Sequence, residues 1–279
     1  MPPSSASPAG ATYSNIMVPM DLDPATERRA KLAIHLADRF SARVIGIAAQ
    51  ELKAPLYFEG ADAGIASIME IQAEQAAKTT AEAEARFRKI AGARNGVEWR
   101  HALTSPTAYA LEQARAADLI VAARPRDDVA FDPMSVNGGD LVMDAGRPVL
   151  FVPPQTEYLA AKRIIIGWKD SPEARRAVWD SLPFLKSAED VYVVSTESPA
   201  DALADVKAYL TSHGVRAHAL SRTNPDGPAG DELITVARLE GADLIVSGAY
   251  GHNRMREWAF GGATRELLHH SPVCCLMAH

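Results

Sequence analysis

The five residues Ala117-Asp118-Leu119-Ile120-Val121 recur as Ala242-Asp243-Leu244-Ile245-Val246. Each copy is a short apolar run headed by an acidic residue, the pattern of a strand buried on both faces. Downstream of each lies a Pro-Val step into another apolar run, Pro148-Val149 and then Pro272-Val273. An internal repeat of about 130 residues is a duplicated domain, because solenoid units run only about 20–50 residues.

Outward from these runs the two halves follow one plan. In the first, strands are predicted at 15–20, 43–48, 97–103, 119–123 and 148–152. Helices fall between them, from the acidic turn at Asp21 to Asp23 as far as Phe40, then at 66–93, 106–117 and 139–145. The 66–93 stretch is rich in Ala, Glu and Gln and has strong helix propensity; 51–64 has no period and reads as a loop. Pro153-Pro154 stops the last strand. The plan restarts with strands at 163–168, 191–195, 215–220, 244–248 and 273–277, and helices from Pro172 and at 200–210, 231–239 and 262–270. Strands alternating with helices imply an α/β fold of two tandem doubly wound domains, each a five-stranded parallel sheet with helices on both faces. The orders 2-1-3-4-5 and 3-2-1-4-5 both satisfy right-handed crossovers; the second is carried forward. Either order places a ligand crevice at the carboxyl ends of the strands, near the switch point. The expected layout is a disordered lead-in at 1–12, a first domain at 13–154 and a second at 162–279.

The chain has 279 residues, 47% of them hydrophobic, and a net charge of −6. That charge argues against a nucleic-acid partner. No run approaches the roughly 18–20 apolar residues of a membrane span, and the start of the chain lacks the pattern of a secretory signal. Its two cysteines are adjacent, so a disulfide framework is not expected. A cytoplasmic protein with no membrane partner is the expectation.

The chemistry concentrates after the fourth strand of the second half. Gly248-Ala249-Tyr250-Gly251 is followed by nine residues and then Gly261-Gly262-Ala263-Thr264, which opens a helix. Glycines at a strand end allow sharp turns and let amides approach a phosphate. At a helix start they expose N–H groups at the positive end of the dipole, and Thr264 adds a hydroxyl. The competing reading is that these glycines serve only tight turns and close packing.

On Ile16 to Asp23 (IMVPMDLD), the repeated Asp-Leu-Ile-Val strands and the glycine spacing, the chain resembles the universal stress protein family in its tandem two-domain form. The resemblance covers nearly everything after the first dozen residues. Nucleotide-binding members carry Gly, two residues, Gly, nine residues, Gly, then Ser or Thr. Gly248, Gly251 and Gly261 match; Gly262 stands where the hydroxyl belongs, with Thr264 close by. In the first half neither of the first two motif glycines is present, Pro125, Asp127 and Asp128 suit a phosphate poorly, and Gly138 and Gly139 alone remain. The resemblance also implies an acid after strand one, near adenine. Asp21 holds that position in the first half, whereas Lys169, followed by Asp170, holds it in the second. Asp170 or Ser171 also suits the cap of the helix that Pro172 opens, and Asp23 the cap of the helix at Pro24.

The resemblance thus implies an adenine-nucleotide site, ATP with Mg²⁺, built from Gly248, Gly251, Gly261, Gly262, Thr264, Gly167, Trp168, Asp170 and Ser171. The function expected is a stress-response sensor or interaction module, at most a slow ATPase. The alternative is a scaffold of paired domains acting through protein contacts. The implied partners are the nucleotide, the sister domain through the last strands, and a second copy in a homodimer. His252, Arg254 and Arg256 are candidate phosphate ligands, and Trp258 and Phe260 candidate cover. Trp168 reads first as core. His269, His270, Cys274, Cys275 and His279 crowd the C-terminus, but Cys274 and Cys275 are strand neighbours facing opposite ways, so buried thiols are expected there and no metal. No catalytic motif is present, and an ATP pyrophosphatase is disfavoured by the missing phosphate loop.

Overall fold

The computed structural model describes residues 12–52, 62–125, 132–195, 200–220, 227–249 and 262–279. The chain divides between Leu159 and Ala160 into two compact units. Tyr13 and Ser14, expected at the start of the first domain, group with the second unit. The physical reason is Tyr13: its hydroxyl donates to the Asp180 carbonyl at 2.6 Å, and its ring packs 5.5 Å from that of Phe184. Most of the expected lead-in lies outside the described residues.

The first unit runs β1 (Asn15–Pro19), α1 (Pro24–Phe40), β2 (Arg43–Ala49), α2 (Asp62–Ala91), β3 (Val97–Ala102), α3 (Pro106–Gln113), β4 (Leu119–Ala123), α4 (Gly138–Asp144) and β5 (Val149–Val152). The second runs β6 (Arg163–Trp168), α5 (Pro172–Leu185), β7 (Asp190–Ser195), α6 (Ala200–Ser212), β8 (Ala217–Leu220), α7 (Ala229–Glu240), β9 (Leu244–Gly248), α8 (Gly262–His270) and β10 (Cys274–Ala278). Within the first unit the strand order is β3-β2-β1-β4-β5, and within the second β8-β7-β6-β9-β10. Both are 3-2-1-4-5 counted within the unit. The assigned neighbours within each unit pair in parallel. With helices covering the sheet, central strands such as Ile164–Ile166 and Leu244–Val246 are at most 1% exposed, which is why they read as unbroken apolar runs.

Local chemistry sets the boundaries. The Asp23 carboxylate accepts from the Ala25 amide at 2.7 Å and Pro24 opens α1; the Ser171 hydroxyl accepts from the Ala174 amide at 3.3 Å and Pro172 opens α5. Of the two residues offered for that cap, Ser171 fills it. α7 ends at Gly241, whose φ of 64° directs the chain into the repeated segment. At the matching place the first unit has Ala116, so α3 stops at Gln113 and leaves by a 3-10 turn over Ala114–Ala116. This shortens the expected 106–117 helix. α2 begins at Asp62, inside the expected 51–64 loop.

The aspartate of the repeat has a task of its own. In the first unit the Asp118 carboxylate accepts from the Asn15 amide at 2.9 Å, while its own amide donates to the Asn15 carbonyl at 2.9 Å. In the second, the Asp243 carboxylate accepts from the Ala161 amide at 2.8 Å, and its amide donates to the Arg163 carbonyl at 3.2 Å. Each repeat thus ties the start of its fourth strand to the start of its first.

Candidate functional site

In the second unit β6 and β9 are the neighbouring strands at the switch point, in the register Ile166↔Val246 and Gly167↔Ser247. Their carboxyl ends therefore lie side by side and bring Gly167, Trp168, Ser171 and Gly248 together. Gly251 and Gly261 lie outside the described residues, as do His252, Arg254, Arg256, Trp258 and Phe260.

The described glycines divide by what surrounds them. A Cβ built on Gly248 would sit 2.7 Å from the Ala174 amide nitrogen and 2.8 Å from the Glu173 carbonyl carbon. Gly248 thus lets the end of β9 approach the backbone of the first turn of α5. Gly167 makes room for Leu233 of α7, whose Cδ1 would lie 2.5 Å from an added Cβ. Gly262, the first residue of α8, is exposed, and an added Cβ meets nothing within 4 Å among the described residues. Its amide stands at the start of α8, while Thr264, two residues on, is buried.

Trp168 is 5% exposed and yet lines a cavity of about 410 Å³ with Asp170, Val178, Val206 and Tyr209. It is core on one side and cavity wall on the other. Burial pushes the Tyr209 phenol above its ordinary range. Asp170 is exposed and pairs with Arg175 at 2.5 Å. Glu173 was not singled out from sequence. Its Oε2 is buried without a hydrogen-bond partner among the described residues, on the turn that Gly248 approaches. Its signal was an acid two residues after the Ser171 cap, which reads equally well as a favourable charge at a helix start.

The matching place in the first unit is chemically different. The Asn137 side chain accepts from the Gly139 amide at 2.9 Å and the Asp140 amide at 3.1 Å, so the first turn of α4 is capped from within. Gly138 makes room for Phe151, whose Cε1 would lie 2.9 Å from an added Cβ. Asp21, the acid expected beside adenine, is committed to internal partners. Its Oδ1 accepts from the Asp23 amide at 3.0 Å and, in a short bond, from the Thr26 hydroxyl; its Oδ2 pairs with Arg29 at 3.1 Å. That ion pair is largely buried, with side chains 13% and 5% exposed.

At the C-terminus Cys274 and Cys275 are buried free thiols, and burial holds the Cys274 thiol far above its ordinary range. Among the described residues no group of three or more His, Cys, Asp and Glu side chains is placed to hold a metal ion. No described helix is long and apolar enough to cross a membrane.

A doubly wound unit with paired strand ends at its switch point is a ligand-binding architecture. Residues 161–279 match the model of the universal stress protein family. The fold extends further. A universal stress protein from Archaeoglobus fulgidus DSM 4304 is similar over 95% of this chain and 97% of its own, at 13% identity and a TM-score of 0.68. A putative universal stress protein from Pseudomonas aeruginosa UCBPP-PA14 is similar over 95% and 93%, at 15% identity and a TM-score of 0.55. The comparison with curated proteins gives no match.

Proposed function

We propose that the second unit binds an adenine nucleotide, ATP with Mg²⁺, and that the protein works as a stress-response sensor or interaction module. One observation carries this reading: the glycine spacing starts at the carboxyl end of β9, beside β6, within a segment that matches the model of the universal stress protein family. The amide of Gly262, at the start of α8, is suited to a phosphate oxygen. The unpartnered Oε2 of Glu173 is suited to a donor on the base or the ribose. Mg²⁺ would be held chiefly by phosphate oxygens and water, since it keeps several waters and needs few protein ligands. When bound it would offset phosphate charge. Neither the sequence motifs nor the described side chains supply an assembled water-activating group, so the reading is of binding with at most slow hydrolysis.

The second reading is a scaffold that acts through protein contacts. It is favoured by Gly248, whose lack of a side chain is already used by α5, and by the exposed Trp179, 54% accessible, on α5. The test is to denature protein purified natively and identify any released nucleotide by mass spectrometry, followed by calorimetric titration with ATP. Gly251→Val is expected to abolish binding and Arg126→Ala to leave it intact; both positions lie outside the described residues, and the expectation rests on the spacing. If no nucleotide is released and none binds, the scaffold reading replaces this one.

A further inference from the structure

Between α5 and α6 of the second unit lies a cavity of about 410 Å³ walled by Trp168, Val178, Val206 and Tyr209. Its aromatic wall continues onto the surface. The Tyr209 ring stands 4.6 Å from that of His213, and His213 meets Trp179 edge-on at 6.1 Å. Trp179 is 54% exposed and Tyr209 38%. Three contiguous rings leading into an apolar cavity form a patch that burial would stabilise, unlike a single exposed apolar side chain. The duplicated fold does not require it. Counting from Pro24 and Pro172, the first residues of α1 and α5, Lys31 stands in the first unit where Trp179 stands in the second, and it pairs with Glu157 at 3.1 Å.

The occupant is indicated by where the chain enters this unit. The Tyr13 hydroxyl donates to the Asp180 carbonyl at 2.6 Å and the Tyr13 ring packs 5.5 Å from that of Phe184. Both partners are on α5, and Asp180 follows Trp179 directly. Residues 1–11 lie outside the described residues; their sequence is MPPSSASPAGA, with Pro2, Pro3 and Pro8 and no charged side chain. At about 3.1 Å per residue in a polyproline II conformation, eleven residues reach about 34 Å. A helix with its side chains is only about 10–12 Å across, so the segment is long enough to pass over α5 from Tyr13 to the Trp179 side. Proline-containing segments suit aromatic-lined grooves because the ring is apolar and its fixed φ leaves little conformational freedom to lose. An uncharged segment also takes no side-chain charge out of water when it docks.

We propose that residues 1–11 dock in the α5–α6 groove of their own chain, with their prolines against Trp179, Tyr209 and His213. None of these three rings belongs to the expected nucleotide site. Tethering at Tyr13 holds the segment at an effective concentration of about 1 mM, so a contact with a Kd of about 0.25 mM is about four-fifths formed and slows reaction at the covered rings about fivefold. The test is hydroxyl-radical footprinting of the full chain, read by mass spectrometry at Trp179 and Tyr209, with Tyr158 of the first unit, 64% exposed, as the control. Replacing Pro2, Pro3 and Pro8 together by serine is expected to speed oxidation of Trp179 and Tyr209 about fivefold and to leave Tyr158 unchanged. In the reciprocal variant, Trp179→Ala, elastase is expected to cleave within residues 1–11 about fivefold faster than in the parent. The urea midpoint of that variant should stay near the parent's, because the side chain is more exposed than buried. The proposal is overturned if the proline variant changes oxidation at Trp179 and Tyr209 by less than about twofold, or if Trp179→Ala leaves the cleavage rate unchanged. It is also overturned if the parent's protection fades on about tenfold dilution, which would make a second copy the occupant.

Discussion

Exchanging Gly248 and Gly262 for alanine, one at a time, separates a glycine that serves packing from one that serves a ligand. At Gly248 the new methyl would lie 2.7 Å from the Ala174 nitrogen and 2.8 Å from the Glu173 carbonyl carbon. These are backbone atoms of a helix, so relief requires β9 and α5 to move apart. Overpacking of this kind costs about 1–3 kcal/mol. At Gly262 the methyl meets nothing within 4 Å among the described residues, and its φ is not among the positive values of the described residues. Alanine there lowers the entropy of the unfolded chain and is expected to stabilise by about 0.4–1 kcal/mol. The two variants therefore move stability in opposite directions. If the Gly262 amide meets a phosphate, the same methyl intrudes on the ligand, and ATP affinity falls about tenfold or more, equivalent to 1.4 kcal/mol, in a protein more stable than the parent. Urea unfolding gives the first quantity and calorimetric titration the second. A Gly262→Ala variant that is stabilised and binds ATP as tightly as the parent would refute the phosphate role of this helix start.

Three further outcomes are expected. Asp21→Asn leaves the buried Arg29 without its counter-charge and should destabilise by about 3–5 kcal/mol; in urea melts the Asp21→Asn/Arg29→Met double variant should lose clearly less than the sum of the singles, and strict additivity would mean that the pair contributes no coupling. Lys169→Asp supplies an acceptor where the family resemblance places an adenine-side acid, so the preference for ATP over GTP should sharpen in paired titrations; equal losses for both nucleotides would make Lys169 a phosphate ligand instead. Cys274 and Cys275 are 1% and 2% exposed, with the Cys274 thiol held protonated by burial, so iodoacetamide at pH 8 should label them only after urea unfolding, as read by mass spectrometry; rapid labelling of the native protein would contradict their burial.

Much of the architecture was legible because it depends on local chemistry. The repeated Asp-Leu-Ile-Val runs, the Asp23-Pro24 and Ser171-Pro172 helix starts and the alternation of elements each act within a few residues, and they led to doubly wound units whose strand order was narrowed to 2-1-3-4-5 or 3-2-1-4-5, the second of which the structure has. Even the failure at α3 was local: Ala116 stands where the second unit has Gly241, and a chain without a glycine there closes in a 3-10 turn. The roles of single side chains were decided by partners far along the chain. Asp118 holds Asn15, 103 residues away, and Tyr13 meets Asp180, 167 residues away. Gly248 is a glycine because α5 passes within contact distance of it, which no spacing motif encodes. Asp21 looked like a ligand acid by position, but the fold turned Arg29 and Thr26 onto it. Periodicity and capping are carried by neighbours in the sequence, so the sequence alone determined the strands, the helices and their order. Which polar groups remain for a ligand depends on what burial brings against them, and only the tertiary structure decided that.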